Sequence, residues 1–257
     1  MTRSWPLVRR TEFARSSSGS KRLARRIAAA FAFVLFAVAV QRAYSATFGT
    51  KPASLTIDPR HPIAQVAVSS LNARVVSFDV RVHRWTQNAN ADVLGSDEPA
   101  GLIVVPPIFS IAPFDTTLVR VAFRQTPSSP KVEDSYQVVM TEITPSANPP
   151  ARVITVPLFI RPATSSGEAL YTLRPAGGNT ASLIINNQSN AHIYVSKLSI
   201  SLNGETLYNG KFTMYVLAGT ARSVPLTLRA PLIGARADLR FENEDGASQS
   251  AQAIISR

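Results

Sequence analysis

Along "VSFDVRVHRW", Phe78, Val80 and Val82 alternate with Asp79, Arg81 and His83. A period of two marks a half-buried strand. "ASLTIDP", "AQVAVSSLN", "GLIVVPPIFSIAP", "TTLVRVAFRQ" and "SYQVVMTEITP" are likewise rich in β-branched and aromatic residues, and each runs into a turn cluster. Helical periodicity is absent beyond the first 45 residues. About seven short strands with turns between them predict an immunoglobulin-like sandwich.

One strand breaks the pattern. "ARVITVPLFIRPA", Ala151 to Ala163, is apolar almost without interruption from Val153 to Ile160, which suits a strand buried on both faces. Yet Pro157 sits in its middle, and proline cannot donate to a sheet ladder, so it is confined to edges and bulges. An apolar strand on an open edge is a template for pairing with another chain. The segment is either covered or kept for pairing.

After Arg161-Pro162, the small polar stretch "ATSSGEA" reads as a linker over residues 163–169. A second strand series begins at Leu170 with "LYTLRP" and continues through "ASLIINNQ", "HIYVSKLSISLNG" and "ARADLRFENEDG". The expectation is all-β: one domain over residues 46–162 and a second, smaller sandwich over residues 170–257.

The start of the chain is different. Residues 1–26 are basic, Ile27 to Val40 are apolar throughout, and "QRAYSA" follows. That order is a secretory signal peptide, here residues 1–45. The apolar run of fourteen residues is short of the roughly 20 that a membrane helix needs. An uncleaved anchor is the alternative; with cleavage no stable membrane span remains. The leader also carries most of the charge. The net charge is +11 from 27 basic and 16 acidic residues; without the nine basic residues and one acid of residues 1–45, 18 and 15 remain, or +3. A basic footprint for nucleic acid is therefore missing from the mature part, and no nucleic-acid partner is expected. With no cysteine, thiol catalysis, zinc-thiolate sites and disulfides are excluded, and the core alone must hold the fold.

Little else points to chemistry. His61, His83 and His192 are far apart in sequence and lack metal-ligand spacing; His83 falls on the polar face of its strand. No Gly-x-Ser-x-Gly elbow or phosphate-cradling glycine loop is present. The acids between Asp92 and Glu98 read as a polar loop, and Asn243 to Gly246 lacks the ligand series of a calcium loop. Asn187-Gln188-Ser189 is a glycosylation sequon by pattern. The inventory argues against an enzyme and implies neither metal nor cofactor.

Five stretches, in order, resemble the periplasmic pilus (fimbrial) chaperones of the chaperone–usher type. In "VVPPIFSIAPFDTTLVRVAFR", residues Pro106, Pro107, Ile108, Phe109, Ile111, Pro113, Val119, Arg120 and Val121 match the family core, with Phe114 where a glycine is usual. "YQVVMTEITP", "VPLFIRP", "NNQSNAHIYVSKLSI" with "YVLAGTARSVPL", and "FENEDG" complete the resemblance over roughly residues 53–246.

The resemblance implies two immunoglobulin-like β-sandwich domains in an L or boomerang arrangement. It also implies a chaperone that lends the last strand of its first domain to a secreted pilus or coat-like subunit and delivers it to an outer-membrane usher. The lending residues would be Arg152, Ile154, Val156 and Leu158, with Ile154 and Val156 filling the subunit's groove. The family anchors the subunit's terminal carboxylate on two cations. Here Arg60 is the candidate for the first, although a one-residue slip would substitute His61. The second position falls on Pro157, leaving Arg84 or Arg152. A buried charge cluster joining the domains would comprise Glu142, Arg161 and either Glu244 or Asp245. The proline-rich "SANPPA" before the strand implies a short donor that starts near Ala151.

Two other readings need different features. A secreted adhesion or carbohydrate-binding module wants exposed aromatics, and of the two tryptophans only Trp85 lies outside the leader. A pilus subunit would lack a strand, whereas this chain carries two complete series.

Overall fold

The computed structural model describes residues 48–95, 101–125, 129–143 and 151–256. The leader, Asp97, Glu98 and the prolines of "SANPP" lie outside the described residues. Among the described residues every helix or strand element is a strand, and no helix is long and apolar enough to cross a membrane.

The first ten strands make two facing sheets. One has the order β1 (Phe48–Lys51), β3 (Ile63–Ser70), β8 (Thr116–Phe123), β6 (Leu102–Val105). The other runs β2 (Leu55–Ile57), β10 (Val153–Ile160), β9 (Asp134–Glu142), β4 (Val76–Gln87), β5 (Asp92–Leu94), with β7 (Ile108–Ile111) also on β4. β1 and β2 are consecutive but belong to different sheets, each as an edge strand. The alternation read in β4 is real: Val76, Phe78, Val80 and Val82 are buried, and the residues between them face outward. These side chains meet Ile57, Val66, Met140 and others in one core.

The second series forms a continuous sheet around its own core. Its order is β14 (Glu205–Asn209), β13 (Ile193–Leu202), β17 (Arg236–Glu242), β18 (Ser248–Ile255), β11 (Ala169–Gly177), β12 (Thr180–Asn187), β16 (Ala221–Thr227), with β15 (Thr213–Val216) on β13. Leu173, Leu183, Ile185, Leu198 and Ile200 fill the interior. The expected all-β pair of immunoglobulin-like sandwiches is what the chain adopts.

Three local findings refine the sequence reading. Phe114 has φ of 58°, a left-handed backbone in which a bulky side chain is uncommon, and this accounts for the glycine usual in the resembling family. Asn187 is fully buried; its Nδ2 donates to the Ala191 carbonyl at 2.8 Å, and its Oδ1 accepts from the Ser189 hydroxyl at 2.6 Å. The sequon is a structural amide with no room for a glycan. His83 is part-buried rather than solvated, with Nδ1 2.9 Å from the Gly95 carbonyl oxygen.

The polar stretch before β11 is pinned rather than loose. Asn190 accepts from the Ser166 N–H at 2.7 Å, donates its own N–H to the Ser166 carbonyl at 2.9 Å, and its Nδ2 donates to the Thr164 carbonyl at 2.9 Å. Gly167 has φ of +88°, and a Cβ there would lie 2.7 Å from both the Gln188 carbonyl oxygen and the Ser189 Cα. Backbone on both counts leaves nothing flexible to yield. Gly167→Ala is therefore expected to lower stability by about 2 kcal/mol or more, measured by urea denaturation; an unchanged midpoint contradicts this packing.

Candidate functional site

Hydrogen-bond direction defines the edge of β10. The strand pairs with β9 along its whole length, but with β2 only through Leu158, Phe159 and Ile160. From Val153 to Pro157 the opposite side has no strand partner among the described residues. The Glu142 N–H donates to the Arg152 carbonyl at 2.8 Å, which sets the parity: even-numbered residues turn their main-chain groups to β9 and odd-numbered residues turn theirs outward. Donation from the Arg161 N–H to the Ile57 carbonyl at 3.2 Å on the β2 side keeps the same parity. Val153 and Thr155 thus present N–H and C=O groups to the open edge. Pro157 falls in the odd series, so its missing N–H costs the β9 ladder nothing.

Side chains follow a second alternation. Ile154, Val156, Leu158 and Ile160 point into the sandwich, while Val153, Thr155, Pro157 and Phe159 point to the other face. Val156 and Leu158 are fully buried in the core of their own domain, and Ile154 packs against that core while part-exposed. Val156, expected with Ile154 to fill a partner's groove, and Leu158, expected to lend beside them, are thus already used in their own core, because β10 is an integral strand of the sandwich. On the outer face Val153 is 58% exposed, whereas Phe159 is fully buried.

Arg152, just before β10, is also engaged. Its N–H donates to Glu142 Oε2 at 3.4 Å, its Nε lies 3.8 Å from the same carboxylate, and its guanidinium donates to Asn72 Oδ1 at 3.4 Å. Arg74 reaches the other oxygen of Glu142 at 3.2 Å. Glu142 is therefore satisfied between two arginines at the end of β9, and the assignment of Glu142 to a domain-joining cluster is corrected.

The acid at the junction is Glu133, at the opposite end of β9. Glu133 Oε1 accepts from the His192 main-chain N–H at 2.9 Å and lies 2.8 Å from His192 Nδ1. His192 Nε2 lies 3.4 Å from Glu244 Oε2, and the Tyr215 hydroxyl donates to Glu244 Oε1 at 2.8 Å. Arg161 reaches Glu244 at 3.9 Å, so these two expected members do meet. Asp245 is exposed and makes no ion pair among the described residues. The Phe159 ring stacks on the imidazole with centroids 3.7 Å apart and an 18° interplanar angle. Trp85 and Leu217 bury the same Phe159. Beside them Gln87 accepts from the Leu217 N–H at 2.8 Å and donates to the Tyr215 carbonyl at 3.0 Å. Nothing in the sequence marks Glu133, His192 or Gln87 as site residues.

Electrostatics at the junction favour charge. Burial opposes protonation of His192, but its bonds to Glu133 and Glu244 outweigh that and raise its pKa above the ordinary imidazole value. Burial likewise pushes the Glu244 carboxyl up, yet bonds from His192, Ser54 and Tyr215 bring it down to about 2.

The anchor candidates separate. Arg84 pairs with Asp134 at 3.0 Å. Arg60 lies exposed in the turn after β2, its N–H donating to Asp58 Oδ1 at 2.7 Å, and its guanidinium makes no ion pair among the described residues. His61 pairs with Asp58 at 3.2 Å. Trp85 is 5% exposed and offers no platform for stacking a sugar.

Comparisons agree with this architecture. Residues 54–165 match the family model described as pili and flagellar-assembly chaperone, PapD N-terminal domain. No curated protein sequence matches the chain. Among solved structures, a chain of the CsuC–CsuE chaperone–tip adhesion subunit pre-assembly complex from Acinetobacter baumannii is similar with a TM-score of 0.58 at 16% identity, covering 82% of this chain and 100% of that one. The CupB2 chaperone of Pseudomonas aeruginosa is similar with a TM-score of 0.56 at 13% identity, covering 81% and 100%. The E. coli chaperone DraB gives 0.54 at 16%, covering 82% and 97%. At these identities the shared property is the fold.

Because Leu158 fills its own core, Leu158→Ala is expected to destabilise the chain by about 2–5 kcal/mol in urea denaturation. A loss below about 0.5 kcal/mol would show that this side chain is not core.

Proposed function

We propose that the chain, whose residues 54–165 match the model of the pili and flagellar-assembly chaperones, is a periplasmic chaperone that binds secreted pilus or fimbrial subunits by strand lending and passes them to an outer-membrane usher. The observation that carries this reading is the open edge from Val153 to Pro157. A subunit strand laid there would bond the outward N–H and C=O groups of Val153 and Thr155 and the carbonyl of Pro157. Chaperone–pilin pairing is itself a known instance of this recognition mode.

The side chains divide the work. Ile154 is the inward apolar residue that keeps some exposure, so it is the one assigned to the subunit's groove. Val156 and Leu158 hold the edge straight from behind. Arg60, exposed and unpaired among the described residues, is assigned to the subunit's terminal carboxylate, which a guanidinium binds through two donors. A partner of the kind in the similar chaperone–tip adhesion subunit complex fits this arrangement. The proposed organisation is a leader over residues 1–45 removed on export, the lending domain over 46–162, a tether over 163–169 and the second domain over 170–257.

Thr155→Pro separates lending from folding. It deletes an N–H that faces the open edge and leaves the β9 ladder intact. Co-expressed with a pilus subunit of the same organism, the unaltered chain is expected to elute as a one-to-one complex. Thr155→Pro and Ile154→Asp are each expected to lose it while remaining folded by circular dichroism. Capture by both variants at the unaltered level would refute strand lending.

A further inference from the structure

Both ring nitrogens of His192 face carboxylate oxygens, Nδ1 that of Glu133 at 2.8 Å and Nε2 that of Glu244 at 3.4 Å. A neutral imidazole donates from only one nitrogen, so the arrangement is satisfied only by the imidazolium. Glu133 strengthens the point. Its side chain is fully buried, and among the described residues its one ion-pair partner is His192 and its Oε2 has no hydrogen-bond partner. Loss of the proton would leave a buried carboxylate without compensating charge.

We propose that His192 is a proton-operated clamp, its imidazolium joining Glu133 of the first domain to Glu244 of the second and, through the stacked Phe159, fixing the end of β10. The groups around the ring come from every neighbouring segment. Glu133 precedes β9, Phe159 and Arg161 end β10, Tyr215 lies on β15 with its ring 5.5 Å away, and Glu244 follows β17. Asp245 and Tyr194 line the same cleft of about 240 Å³. Arg161, at 3.9 Å from Glu244 and half exposed, is placed to hold Glu244 but not Glu133. A guanidinium keeps its proton at any ordinary pH, so an arginine-only junction would not respond on the alkaline side, whereas this one does.

The signs follow from the two shifts. A raised histidine pKa means that its contribution is complete below the ordinary value of 6.5 and is lost as pH rises through the folded value. A carboxyl lowered from 4.5 to about 2 contributes above 4.5 and fails as pH falls toward 2. The clamp is full between these limits and opens upward in pH. This inference concerns the junction alone and stands whether or not β10 lends an edge.

The test is an NMR titration of the imidazole Cε1–H of the full chain, with His192→Gln identifying the resonance among the three histidines. The His192 signal is expected to titrate above 6.5 and to move lower in Glu133→Gln. In parallel, the unfolding equilibrium constant in urea is expected to rise by up to about tenfold per pH unit above 6.5, and to rise less in His192→Gln. Titration at or below 6.5, or equal alkaline slopes in both proteins, would overturn the clamp. Should His192→Gln fail to fold, the comparison of the unaltered chain with Glu133→Gln decides.

Discussion

Along β10 the main chain alternates between two hydrogen-bonding partners, and the rest of the arrangement depends on it. Even-numbered residues are committed to β9. Odd-numbered residues look the other way, where β2 covers only the last part of the strand. A fully paired strand has nothing to lend, and a strand unpaired on both sides would not hold its shape. One committed side and one open side give a rigid template. Pro157 fits this template because its absent N–H belongs to the open side, so the residue that looked like a flaw is compatible with both ladders. It also discourages pairing at its own position, which limits where another strand can dock.

The same strand is tied into the domain junction. Residues two to four positions beyond the open stretch supply the local ordering: Ile160 enters the first core, Phe159 is sealed beneath Trp85, Leu217 and the His192 ring, and Arg161 reaches Glu244. Neutral groups share the task, since Gln87 and Asn190 each bridge main-chain atoms across the junction. Whatever binds at the open edge therefore binds a strand whose far end is held by the second domain.

What the sequence revealed depended on how local the signal was. The alternation of β4 came through because one face meets core and the other meets water. In β10 the pattern is uninformative: Phe159 is apolar because Trp85, His192 and Leu217, each more than thirty residues away in the chain, cover it, so the strand looks alike on both faces. Glu133 and Glu142 bracket β9, a span of about 30 Å at roughly 3.3 Å per residue. The resemblance nominates Glu142, while the fold sends Glu133 to the junction and Glu142 to Arg74 and Arg152. His192 was read as an isolated histidine because its two carboxylate partners lie about fifty residues away on either side. Asn187 matched a surface motif, yet its amide holds a buried turn.

Amide hydrogen exchange along β10 gives the sharpest test of the proposed strand lending. In the free chain, Val153 and Thr155 are expected to exchange rapidly beside protected amides at Ile154 and Val156, the alternation of a strand paired on one side. With a cognate subunit bound, Val153 and Thr155 are predicted to become as protected as their neighbours. Bound complex with those two amides still exchanging at their free rates would rule out strand lending by β10.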